Sequence, residues 1–353
     1  MSIYIHIPFC SSICSYCDFC KILKNDKYIN SYLEALEKEI KQNYKGEKVN
    51  TLYIGGGTPS SLSLENLKRL FNIIKVFNID KNCEITFETN SEDLTREKID
   101  FLKKHITRLS IGIQTFNENT IKILNRKLNF DNIKLACQTF DNVNIDLMYG
   151  FQNQTLNDLK NDLNRIIKLN PKHISTYCLI LEPHTKLYID NYRPLDGDRE
   201  RKMYDFITKT LQANNYIRYE LSNFSKPNYE SRHNLTYWNN ENYYGFGLGA
   251  SGYINNVRYE NTRSLNEYLK GNYLLEKHEL SLKETIQNEF ILGLRKIKGL
   301  NKESFYQKYK RDIKEIPKVK QLLKEELLLE DSNNIYINPK YLYTSNEIML
   351  NFI

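Results

Sequence analysis

Tyr4-Ile5-His6-Ile7-Pro8-Phe9-Cys10-Ser11-Ser12-Ile13-Cys14-Ser15-Tyr16-Cys17-Asp18-Phe19 sets a short β-prone run directly against three cysteines spaced Cys10-x3-Cys14-x2-Cys17. Ser2 to Ile7 reads as a strand, stopped by Pro8 where the thiols begin. Thiolates suit iron-sulfur clusters and zinc alike. Three cysteines on a four-iron cluster leave one iron open to a small molecule. Zinc needs a fourth ligand, which Cys20 or His6 is near enough in sequence to supply. The spacing alone leaves both readings open.

The strand that ends in unusual polar sequence recurs down the first half of the chain. Candidate strands are Ser2 to Ile7, Thr51 to Ile54, Glu84 to Glu88, Arg108 to Ile113, Asn142 to Met148 and His173 to Ile180. Amphipathic helical stretches lie between them, about Tyr28 to Asn43, Leu64 to Phe77 and Leu156 to Leu169, the last opened by a Thr155-x-x-Asp158 capping box. Alternating β and α segments predict parallel strands and an α/β fold. In βα barrels the loops after the strands share one mouth, where chemistry gathers. Here those positions hold the cysteine loop, Gly55-Gly56-Gly57-Thr58-Pro59, Glu88, Gln114 and Asp146. Any one of them is explained by the habit of polar residues to end strands; their convergence points to a single site.

After about Glu182 the pattern changes to a long helix (Arg199 to Asn214), an aromatic-rich stretch, and a hairpin suggested by Ile254-Asn255-Asn256-Val257. From Ser281 the chain reads as mostly helical, with a short β signal at Ile335-Tyr336-Ile337, a winged-helix-like order of elements. The expected organisation is a barrel core over 1–182, an aromatic-rich extension over 183–280 and a C-terminal mixed, mostly helical domain over 281–353.

With 353 residues, 41% hydrophobic and 26% charged, the composition is that of an ordinary globular protein and excludes a disordered or fibrous chain. No apolar run approaches the roughly 18 residues that span a bilayer, and Met1-Ser2-Ile3-Tyr4 lacks signal-peptide features, so a cytoplasmic location is expected. Seven cysteines, an odd number with four crowded near the start, suggest metal or redox chemistry rather than a disulfide framework. The net charge of +7 concentrates between Arg295 and Glu325, where 11 Lys or Arg face 4 Asp or Glu. That reads as a solvated helical face, or at most a place for a protein partner to dock, and not as a nucleic-acid surface.

The opening stretch resembles the cluster loop of radical S-adenosylmethionine (SAM) proteins, in the branch that contains oxygen-independent coproporphyrinogen III oxidase and the HemW heme chaperones. The resemblance implies a partial (β/α)6 TIM-type barrel and a 4Fe-4S cluster on Cys10, Cys14 and Cys17. It also implies exchangeable SAM chelated at the open iron, a reducing partner such as a flavodoxin or ferredoxin, and Tyr4 and Tyr16 among the cofactor-binding positions. Leu52-Tyr53-Ile54-Gly55-Gly56-Gly57-Thr58-Pro59-Ser60 is similar to the branch's GGGTPS segment, which puts Gly56, Gly57 and Thr58 at SAM and Glu88 near its ribose. Arg108-Leu109-Ser110-Ile111-Gly112-Ile113-Gln114, Leu124-Asn125-Arg126 and Asn144-Ile145-Asp146-Leu147-Met148-Tyr149-Gly150 are similar to further family motifs. They align Gln114, Arg126 and Asp146 with residues that contact a second SAM in the oxidase. From the residues alone, Arg126 is equally a surface helix arginine and Asp146 a loop cap.

His233-Asn234-Leu235-Thr236-Tyr237-Trp238 matches the HNxxYW motif associated with heme binding in HemW proteins. Imidazole is a common axial ligand to heme iron, although a lone histidine is more often a hydrogen-bonded structural residue. The oxidase carries a fourth cysteine at the position of Phe19; here Cys20 comes one residue later and reads as a loop thiol. Nine residues precede Cys10, fewer than in the oxidase's arm. Together these features favour a heme chaperone, carrying heme to a heme-accepting protein, over a decarboxylating oxidase. A zinc-stapled nucleic-acid binder is the remote alternative. Two departures stand out: Gln152-Asn153 where Pro-Gly is usual, so that turn is expected to differ, and Asn228 where Gly is common, in a loop whose left-handed backbone Asn tolerates.

Overall fold

A computed structural model describes residues 1–353. Six parallel strands stand side by side in chain order: β1 (Ser2–Ile7), β2 (Val49–Gly56), β3 (Ile79–Asn90), β4 (Arg108–Gln114), β5 (Val143–Tyr149) and β6 (His173–Cys178). They are joined by α1 (Asp26–Asn43), α2 (Leu64–Ile73), α3 (Arg96–Leu102), α4 (Glu118–Ile123), α5 (Phe130–Thr139) and α6 (Leu156–Leu169). The parallel α/β order is the one expected from the strand pattern, and the partial barrel the one that the family resemblance implies. The capping box at Thr155 and Asp158 forms in both directions. The helix expected to reach Phe77 stops at Ile73 and tightens into a 3-10 turn over Ile74–Val76, because Phe77 turns back into the core against Tyr44 and Phe246.

Strand alternation divides the sheet into two chemistries. Ile3, Ile5, Ile7, Leu109, Ile111, Ile113, Ile145 and Leu147 are fully buried in the main core under the helices, each contributing roughly 1.5–3 kcal/mol. The alternate positions face the barrel lumen and form a polar network. Asn144 donates to Ser110 Oγ and to Asp146 Oδ1, both at 2.8 Å, and its Oδ1 meets His173 Nδ1 at 2.6 Å. Parallel strands covered on both faces are usually apolar throughout; here the inner face is reserved for polar side chains.

The segment after β6 extends both edges of this sheet. It holds α7 (Gly197–Ala213); then β7 (Asn223–Ser225) pairs antiparallel with β6, and β8 (Tyr243–Phe246) pairs parallel with β1. The helix between them, α8 (Arg232–Trp238), therefore passes from one edge of the barrel to the other, across the amino ends of the strands. Ser2 Oγ meets Thr236 Oγ1 at 2.8 Å, and the Glu84 carboxylate accepts the backbone N–H groups of Arg232 and His233 at 3.2 and 3.1 Å. β9 (Ser251–Ile254) and β10 (Val257–Asn261) form the expected hairpin, with left-handed Asn255 and Asn256 at its turn, and β11 (Leu274–Glu279) ends the sheet. Asn153 and Asn228 both take positive φ, 62° and 69°, the left-handed conformation that Asn tolerates at a turn.

Residues 282–353 gather a separate apolar core around Phe290, Leu322 and Ile335. Helices α9 (Leu282–Gly293), α10 (Lys302–Tyr309) and α11 (Pro317–Lys324) surround three short antiparallel strands, β12 (Leu300–Asn301), β13 (Leu328–Glu330) and β14 (Asn334–Ile337), with β14 central. The basic stretch is partly engaged: Lys302 and Lys314 pair with Glu330, Lys308 pairs with Glu289, and Arg295 lies 4.6 Å over the Trp238 ring. No helix is long and apolar enough to cross a membrane.

Candidate site at the barrel mouth

Ordering of the cysteine loop comes chiefly from Leu124-Asn125-Arg126. The Leu124 carbonyl accepts the Ser15 N–H at 3.0 Å, Asn125 Nδ2 donates to the Ile13 carbonyl at 2.8 Å, and Arg126 Nη1 donates to Cys14 Sγ at 3.5 Å. Arg126 is 8% exposed and is not the surface arginine that its residue type alone allows. From the other side Thr58 Oγ1 donates to Cys10 Sγ at 3.6 Å. Burial pushes the Cys10 thiol up to about 11 and raises Cys17 as well. No group of three or more His, Cys, Asp or Glu side chains is drawn together around a single ion position.

The glycine triplet packs against the protein itself. A Cβ on Gly57 would lie 2.6 Å from the Pro8 carbonyl oxygen and 2.9 Å from Cys10 Sγ. Gly56 has φ 120°, and its N–H donates to Glu88 Oε2 at 3.1 Å. These residues let β2 end flush against the cysteine loop, with Gly56 facing the lumen. Glu88 also accepts the Tyr53 hydroxyl at 2.6 Å. Burial, with the Asp146 charge adding to it against these two hydrogen bonds, raises Glu88 to about 7. Asp146 is likewise raised by burial.

Gln114 ends β4 in a left-handed conformation, φ 72°, with Oε1 buried and unpartnered. The following turn is fixed by Asp162 of α6, which accepts the Thr115 hydroxyl at 2.6 Å and the Phe116 N–H at 2.8 Å. Asn90 escapes a sequence reading yet joins both halves of the mouth, accepting from Arg126 at 2.9 Å and donating to Thr58 at 3.2 Å. Its only sequence signal is a polar residue two positions beyond Glu88, on the same face of the strand. Arg108, 2% exposed in the lumen with Nε unpartnered, has no sequence signal beyond its place at the start of the Arg108 to Gln114 motif.

Beneath the mouth lies a cavity of about 210 Å³, lined among others by Tyr4, Tyr53, Gly56, Glu88, His233 and Tyr237. Tyr4, Phe19 and Tyr237 also line an adjoining crevice of about 250 Å³ that reaches Cys20. The sequence motifs thus meet in one place: the cysteine loop and glycine triplet above, the HNLTYW helix below. His233 is 1% exposed, with Nδ1 2.8 Å from Thr51 Oγ1 and Nε2 2.8 Å from the Tyr237 hydroxyl. Burial, then the Arg108 charge, lowers it to about 3, so it is neutral at physiological pH. Neither ring nitrogen is free. His6 is engaged in the same way, between the Tyr4 hydroxyl at 3.0 Å and the Cys20 carbonyl at 2.6 Å, so that ligating a metal would cost it one of these bonds.

Residues 4–166 match the Radical SAM superfamily. Over the whole chain the sequence is 38% identical to the "Heme chaperone HemW" of Lactococcus lactis, covering 100% of this chain and 97% of that protein. It is 37% identical to the Bacillus subtilis protein of that name, covering 100% and 99% respectively. The Escherichia coli coproporphyrinogen III oxidase, HemN, superposes with a TM-score of 0.87 over 99% of this chain and 89% of that one, at 23% identity, which shows a shared fold.

Proposed function

The chain belongs to the HemW heme chaperone family, and from that premise we propose that it binds a 4Fe-4S cluster on Cys10, Cys14 and Cys17, takes SAM at the open iron, and carries heme to an acceptor protein. The observation that carries the reading is the convergence of Phe19 at the end of the cysteine loop, Gly56, Glu88 and the HNLTYW helix on one cavity, while Thr58 and Arg126 donate hydrogen bonds to the Cys10 and Cys14 sulfurs. The donor set suits the cluster: three thiols on one loop, two of them already receiving hydrogen bonds as thiolate sulfurs would. The raised Cys10 and Cys17 thiols are compatible with this, because metal binding releases thiol protons and completes the ordering of the loop.

When bound, the cluster and SAM together supply reductive cleavage of the sulfonium. The chain's own contribution is positional. Gly57 leaves room for the Cys10 sulfur, Thr58 and Arg126 orient two thiolates, and Glu88 is placed to accept ribose hydroxyls once ionised. Gln114 and Asp146 present polar atoms to the same mouth. His233 serves as heme ligand, as its motif implies, at the cost of one hydrogen bond: Tyr237 must release Nε2. A cavity of about 210 Å³ lies below the roughly 300–1,000 Å³ usual for small-molecule sites, so heme carriage also requires α8 or the cysteine loop to open.

Anaerobic reconstitution followed by hemin titration tests the reading. A Soret change in the parent, reduced in His233→Ala, is expected; an unchanged spectrum in the parent refutes carriage. Anaerobic turnover of coproporphyrinogen III with SAM and reductant would instead favour the oxidase activity. Zinc without iron on metal analysis would refute the cluster.

A further inference from the structure

We propose that Arg126 is a positioning residue for the iron-sulfur site, one that tunes the cluster's reduction potential through a charged hydrogen bond to the Cys14 sulfur rather than by receiving a second SAM. The proposal rests on the cluster reading above and goes beyond it, because family resemblance assigns this residue to a different ligand.

The guanidinium is used as a fork. One arm, Nη1, donates to Cys14 Sγ at 3.5 Å and to the Tyr16 hydroxyl at 3.4 Å. The other, Nη2, donates to Asn90 Oδ1 at 2.9 Å and to the Gly112 carbonyl at 2.5 Å. Only Nε lacks a partner. Four of the five N–H donors are thus matched by protein acceptors, which leaves little with which to clamp a further carboxylate. A Cβ on Gly112 would sit 3.4 Å from Nη2 and 3.2 Å from Gln114 Nε2, so the fork lies close against the strand at this glycine.

The backbone on either side reinforces this geometry. Leu124 and Asn125 hold Ser15 and Ile13, the neighbours of Cys14, so the arginine and its sulfur belong to one small rigid unit. A buried cation beside a thiolate ligand interacts more strongly once the site gains an electron, and water screens it little at 8% exposure. Hydrogen bonds to ligand sulfurs and local charge are two of the levers that set iron-sulfur potentials. Asn90 ties the same arginine to Thr58, which donates to Cys10, so both hydrogen-bonded sulfurs belong to one network.

The test is an EPR-monitored redox titration of anaerobically reconstituted parent, Arg126→Gln and Arg126→Lys, with iron and sulfide measured on each sample. Arg126→Gln removes the charge and should make one-electron reduction about tenfold less favourable, a fall of about 59 mV in midpoint potential. Arg126→Lys keeps the charge but cannot reach Cys14 and the Gly112 carbonyl together, so its potential should fall by less. Equal potentials in parent and variants at full iron content overturn the proposal. If Arg126→Gln fails to hold iron, Arg126→Lys decides by the same criterion. A parent that assembles no four-iron cluster refutes the cluster reading itself, a result distinguishable from a cluster of unshifted potential.

Discussion

Replacing Glu88 by Gln tests the SAM site through its pH dependence. Burial holds Glu88 at about 7, against an ordinary value of 4.5, although Tyr53 and the Gly56 N–H both donate to it. Only the ionised carboxylate offers acceptor capacity on both oxygens to ribose hydroxyls as well as to these two donors. If SAM binds that form, affinity in the parent is flat above about pH 8. Below pH 7 it weakens by about tenfold per unit, which is about 1.4 kcal/mol for each unit. The carboxyl is raised above its ordinary value, so in the folded protein without SAM the proton is retained up to neutrality, and weakening on the acid side is the required sign. Glu88→Gln cannot ionise and should bind SAM weakly at every pH, with no slope between pH 6 and 8. Equilibrium dialysis of labelled SAM against anaerobically reconstituted protein measures both curves. A flat parent curve, or an identical slope in Glu88→Gln, would refute the assignment of Glu88 to the ribose.

Gly57→Ala should abolish most iron incorporation while the far-UV circular dichroism stays unchanged, because its Cβ meets the Pro8 carbonyl and Cys10 Sγ; Gly197→Ala, with nothing within 4 Å, is the control. His233→Ala leaves the Thr51 and Tyr237 hydroxyls buried without their partner. It should cost about 2–6 kcal/mol, visible as a lower urea midpoint, at roughly 1–3 kcal/mol for each of the two orphaned groups. Glu39 accepts from Tyr268, Gly247 and Asn261, yet burial raises it to about 7. Since the folded protein holds this proton more tightly than the unfolded chain, stability declines as pH rises from about 4.5 to 7. The parent should therefore lose roughly 2–3 kcal/mol more than Glu39→Gln between pH 5 and 8 in urea titrations; parallel losses would show that Glu39 is not the titrating group.

Much of the site was legible before any fold was known, because parallel βα units place the residues after each strand at a common mouth. Glu88 and the cysteine loop needed only strand boundaries correct to a residue or two. Arg126 was harder. Its residue type suits an exposed helix end, and only the turn at Asn125, with φ 53°, brings it back over Cys14. Asn90 was invisible because its partners, Thr58 and Arg126, lie 32 and 36 residues away.

The sequence by itself determined the strand alternation, the capped helices, the thiol loop and the motif set, since each depends on residues within a few positions of one another. The tertiary structure alone decided that the HNLTYW helix crosses the amino ends of the barrel strands, and that His233, 182 residues from Thr51, has both nitrogens engaged. It also decided that the lumen shared by Glu88 and Tyr237 is small. These are properties of which surfaces meet when two sheet edges are bridged by one connection, and no local pattern in the chain encodes what will stand opposite a given side chain.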